Sequence, residues 1–109
     1  MAEKKADAPK FVTVKGKQYE AIDITYRGTL YTIRELSVKE SRDINKAATG
    51  EDGVLNGESN LIMSLVAAIV APENTTEDDI DDWGGKQYLT LSRAFNKVNS
   101  LVENPSGEG

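Results

Sequence analysis

The sequence predicts an α+β fold, an N-terminal antiparallel β-hairpin or three-stranded sheet followed by a small bundle of three to four helices. Three observations predict it. Residues 19–26 alternate apolar and polar with period two. Arg27-Gly28 lies between that run and the next at the spacing of a two-residue hairpin turn. Beyond Ser37 the apolar period becomes helical, and capping residues open the segments. At 109 residues the chain suits one domain, here 11–102, with a disordered arm over 1–10 and a flexible tail over 103–109.

Tyr19-Glu20-Ala21-Ile22-Asp23-Ile24-Thr25-Tyr26 puts Ile22, Ile24 and Tyr26 on one face, and Leu30-Tyr31-Thr32-Ile33 is a second β-rich run. Pairing Tyr26 with Thr29 sets Ile24 opposite Tyr31 and Ile22 opposite Ile33, so turn and pattern agree on one register. Phe11-Val12-Thr13-Val14, before the turn-like Lys15-Gly16-Lys17, offers a third strand. A lone hairpin is marginal in water, so this sheet must lean on something.

Ser37-Val38-Lys39-Glu40 reads as a capping box opening a helix to about Ala48 that stops near Gly50, with Ile44, Ala47 and Ala48 on one stripe. After a polar loop with Gly50, Gly53 and Gly57, Ser59 or Asn60 caps a second helix. Leu61, Ile62, Leu65, Val66, Ile69 and Val70 fall on it at helical spacing, and Pro72 ends it. This helix is expected to be the most buried element. Thr76 caps a short acidic helix whose first turn, Glu77, Asp78 and Asp79, complements the helix dipole. Gly84-Gly85 breaks it. A last helix, about Lys86 to Val102, spaces Tyr88, Leu91, Phe95, Val98 and Val102 along one stripe, with Leu101 beside them.

Composition narrows the chemistry. There is no Cys and no His, which removes thiol nucleophiles, disulfides, imidazole bases and ordinary zinc sites together. The net charge of −5 argues against a nucleic-acid partner. Residues 47–85 hold nine acids (Glu51, Asp52, Glu58, Glu73, Glu77, Asp78, Asp79, Asp81, Asp82) and no base, which predicts one negative end of the molecule. The longest apolar run, Leu61 to Ala71, is broken by Ser64 and falls well short of the roughly 20 residues a membrane span needs. The charged N-terminus lacks the apolar core of a secretory signal, so the cytoplasm is expected.

Asp79, Asp81 and Gly84 match positions one, three and six of a calcium loop, but Trp83 and Thr90 stand where further ligands are required. Carboxylates complementing a helix dipole account for the acids better. Gly84-Gly85-Lys86 lacks the rest of a phosphate-binding loop. No cofactor, metal or catalytic residue is therefore expected. Protein binding remains, and the candidates are Leu61, Ile62, Leu65, Val66, Ile69, Trp83, Tyr88 and Phe95. Each is either core or partner surface: the second helix is apolar on more than one face, so it is either central in the bundle or covered by a partner, including another copy in a homo-oligomer.

The element order resembles that of tail assembly chaperones of long-tailed, siphovirus-type bacteriophages. The likeness runs from about Val12 to Asn99. It rests on a β segment entering Tyr31-Thr32-Ile33-Arg34-Glu35-Leu36-Ser37-Val38-Lys39-Glu40, a helix and a Gly-rich polar gap. Then come Leu65-Val66-Ala67-Ala68-Ile69-Val70-Ala71-Pro72, the acidic Thr76-Glu77-Asp78-Asp79-Ile80, and Leu91-Ser92-Arg93-Ala94-Phe95-Asn96-Lys97-Val98-Asn99. The resemblance implies a non-catalytic chaperone in the host cytoplasm. Such a protein binds and solubilises the tape-measure protein, helps recruit the tail-tube protein during virion morphogenesis, and is absent from the mature virion. Alternatives are a small structural virion component (head–tail or tail-tube protein) and an acidic inhibitor or antitoxin-like binding module.

Overall fold

Two turns organise the N-terminal half. A computed structural model of the chain describes residues 10–99. In it Lys15 and Gly16 have φ of 50° and 81°, and Arg27 and Gly28 have 49° and 84°. Two successive positive φ values make the type I′ turn, whose twist matches that of the flanking strands. These turns join β1 (Lys10–Val14), β2 (Lys17–Tyr26) and β3 (Thr29–Arg34) into an antiparallel meander. The register pairs Tyr26 with Thr29, Ile24 with Tyr31 and Ile22 with Ile33, as the alternation predicts. Lys10, grouped with the N-terminal arm by sequence, opens β1, and its Nζ donates to both carboxylate oxygens of Asp23 at 3.1 and 3.0 Å. The rest of that arm, the tail, and Leu101 and Val102 of the expected last helix lie outside the described residues.

A fourth strand corrects the reading of the apolar run. The helix α2 (Gly57–Ala68) stops at Ala68, and β4 (Ile69–Ala71) pairs antiparallel with β3, with a register shift opposite Thr32 and Ile33. Ile69 and Val70 therefore belong to the sheet, whose order is β1-β2-β3-β4. The unpaired side of β3 offers hydrogen-bond partners that a longer helix would leave unused. The start of α2 also differs from expectation: Asn56, not Ser59 or Asn60, is the cap, and its side chain accepts from the Ser59 N–H at 2.9 Å.

The remaining helices follow their caps. Ser37 and Glu40 close a reciprocal capping box on α1 (Val38–Ala47). Thr76 and Asp79 do the same on α3 (Glu77–Asp81). The last helix, α4, runs from Gly85 to Asn99.

One face of the sheet is covered by α2 and α4, and α3 packs against α2. The core between them is Tyr31, Ile33, Leu65, Ala68, Ile69, Ile80, Leu91 and Ala94, with Ile22, Ile24 and Tyr26 half-buried against it. Gln87 ties α4 to the sheet by donating to the Tyr31 hydroxyl at 2.7 Å. The most buried element is β3 rather than α2: Tyr31, Thr32, Ile33 and Arg34 are all buried, because β3 is an inner strand with neighbours on both sides.

Arg34 projects to the opposite side of β3 from Ile33. Its guanidinium makes a two-pronged pair with Glu40 at 2.7 and 3.0 Å and lies 4.8 Å from the centre of the Tyr19 ring. The Arg34 hydrogen bonds hold the Glu40 carboxyl down at about 2, overcoming the opposing effect of burial, and the Ser37 N–H helps. Asn99 closes the same corner from α4: its side-chain oxygen accepts from the Leu36 N–H at 2.8 Å, and its amide donates to the Arg34 carbonyl at 3.2 Å. Asp23 accepts from the Thr32 hydroxyl at 2.6 Å, which with Lys10 holds its carboxyl below the usual range.

Candidate functional site

Open grooves lie around the short acidic helix α3. One groove, of about 280 Å³, runs between α2 and the chain entering α3, lined by Ile62, Met63, Val66, Thr75, Thr76 and Glu77. Ile62 and Val66 are one helical turn apart on α2, so these side chains share a stripe with Met63. A second groove, of about 190 Å³, starts at Ile62 and passes Ile80 to Trp83 and Tyr88, with Glu58 and Asp81 on its walls. Ile62 is the one residue that lines both. A third, of about 330 Å³, is lined by Tyr31, Pro72 and Trp83 and bordered by Glu73, Asp79 and Asp82.

None of the residues lining these three grooves is a lysine or an arginine. The groove of Ile62, Met63 and Val66 is thus an apolar floor with Glu77 at its edge, and the other two mix aromatic or aliphatic side chains with carboxylates. Trp83 stands where two grooves meet and packs edge-on to Tyr31, with ring centres 6.0 Å apart and planes at 80°. Partial burial, with the negative Glu58 nearby, pushes the Tyr88 hydroxyl above its ordinary range, so it stays a neutral hydrogen-bonding group.

The eight residues singled out by sequence separate into distinct environments. Leu65 (0% exposed) and Ile69 (6%) lie in the core, which leaves neither a surface for a partner. Leu61 and Phe95 are half-buried against that core and line none of the three grooves. Ile62, Val66, Trp83 and Tyr88 are also partly buried against the core, and they line the grooves around α3, Ile62 and Val66 in one and Ile62, Trp83 and Tyr88 in the other. Met63 belongs with them and was missed; its place one residue after Ile62 and three before Val66 was the available signal. Glu58 lies on α2 and Glu77 and Asp81 at the two ends of α3, and the packing of α3 against α2 brings them beside these grooves.

The positions that match a calcium loop are partly helical here, and the Asp79 carboxylate is committed to capping Thr76 at 2.8 Å. Among the described residues no group of three or more His, Cys, Asp and Glu side chains could hold a metal ion. No helix among them is long and apolar enough to cross a membrane. No family model matches the chain, and comparison with curated proteins and with solved structures finds no significant match.

Proposed function

We propose that the protein is a non-catalytic chaperone of phage tail assembly, which covers apolar helical segments of the tape-measure protein in the host cytoplasm and helps bring tail-tube subunits to it. The observation that supports this reading is the open apolar stripe of Ile62, Met63 and Val66 with Glu77 at its edge, with Trp83 and Tyr88 in the adjoining groove that shares Ile62. A groove of this kind takes the apolar face of an amphipathic helix, with anchors one turn apart. The carboxylates around it keep the occupied complex dispersed in water. Covering such stripes on a long helical protein prevents the aggregation that exposed apolar patches cause.

Co-expression with the long helical protein encoded beside it in the same genome tests the proposal. The expected result is a soluble complex that Met63→Asp abolishes, while circular dichroism of that variant remains that of the folded protein. A client equally insoluble with and without the wild-type protein contradicts the reading. Mass spectrometry of purified particles separates it from a structural virion component, which would be present there.

A further inference from the structure

The same chain carries a surface that complements the groove. The outward side of α4 presents Lys86, Leu89, Arg93 and Lys97, spaced three, four and four residues apart and all exposed. Leu89 is 49% exposed, a large apolar side chain standing between two cations one turn away on either side. The helix contains no acidic residue. Its buried side, Leu91, Ser92 and Ala94, faces the core, so α4 cannot turn Leu89 into the groove of its own molecule. The groove beside α3 meanwhile offers Ile62, Met63 and Val66 to an apolar side chain and Glu77 to a flanking cation, and the neighbouring groove that shares Ile62 adds Glu58 and Asp81.

We infer that the groove beside α3 of one copy seats the Lys86–Leu89–Arg93 face of α4 of a second copy. Leu89 enters the apolar floor, and Lys86 and Arg93 meet the carboxylates of the rim. Each copy carries both surfaces and neither surface matches itself, so the contact is head-to-tail and builds either closed rings or open chains. Ion pairs at the rim make the association weaken as salt rises. This inference concerns the protein alone and does not rest on any client; a client helix entering the groove would displace α4.

Sedimentation velocity on the full chain tests it, at low salt and at roughly 0.5 M salt, where screening falls within a few ångströms. At low salt the mass is expected to rise with protein concentration, and at high salt to return to the 11.9 kDa monomer. Arg93→Glu, at an exposed position, and Met63→Asp, on the floor of the groove, should each stay folded by circular dichroism and lose association. Mixing the two restores one intact groove and one intact helix face, so an equimolar mixture should form a complex of two chains that grows no further. A monomer at every concentration in low salt overturns the inference. So does self-association that neither substitution reduces, or a mixture that stays monomeric.

Discussion

Leu65→Ala is expected to lower the free energy of unfolding by about 2–5 kcal/mol, read from urea denaturation. Leu65 has no exposed surface and sits in the cluster that joins α2 to β3, β4 and α4. Truncation there removes the transfer free energy of the side chain and leaves a cavity that its neighbours fill only in part. Against a total stability of about 5–15 kcal/mol for an ordinary domain, this is a large fraction. Met63→Ala, on the groove side of the same helix, should cost no more than about 1 kcal/mol, because its side chain is only partly withdrawn from water. Equal losses for the two variants would mean that α2 has no free face, and the groove would lose its standing as a docking surface.

The second large effect belongs to the Arg34–Glu40 pair. Glu40→Ala leaves a guanidinium whose side chain is 5% exposed without its carboxylate, and also opens the capping box of α1. Removing one partner of a fully buried pair costs about 3–5 kcal/mol. Glu40 itself keeps 35% of its side chain in contact with water, which screens the pair, so about 2–3 kcal/mol is expected. The pair also sets the acid response. Because the carboxyl is held down at about 2 against an ordinary 4.5, the folded state binds this proton less readily than the unfolded one. Its contribution is complete above 4.5 and is lost as pH falls toward 2. Asp23, held low by Thr32 and Lys10, adds to the same acid loss. Denaturant midpoints measured across that interval should therefore fall steeply in the wild type and less steeply in Glu40→Ala. Parallel curves would show that the pair does not govern acid stability.

The sheet was legible where two independent signals coincide. The alternation from Ile22 to Tyr26 and the turn at Arg27-Gly28 demand the same pairing, and a slip of one residue would turn every apolar side chain outward. The caps at Ser37 and Thr76 were legible because capping chemistry is local. The strand β4 was not. Ile69-Val70-Ala71 continues an apolar run, and periodicity alone does not separate the end of a buried helix from a short buried strand. What decides is β3, far away in sequence, whose unpaired side needs a partner. The start of α2 failed for a related reason: the favourable cap at Asn56 precedes Gly57, a weak helix former, so the sequence pattern points to a later start.

The candidate site was half legible. Composition identified the acidic stretch, and spacing identified Ile62 and Val66, but neither told which side of α2 faces the core. Leu65 lies one residue from Val66 and is fully buried, whereas Val66 lines a groove. That distinction comes from how α2 rests on the sheet, which a helical period alone does not specify.

Trp83 makes the proposed binding observable, since it is the sole tryptophan of the chain and lines the groove that shares Ile62 with the apolar stripe. The decisive measurement is its fluorescence while the purified protein is titrated with the helical client. A saturable blue shift is predicted as the client displaces water from Trp83, with no shift from the folded Met63→Asp variant. A client that binds the protein while the Trp83 emission stays unchanged, or that binds Met63→Asp as tightly as the wild type, would contradict the account.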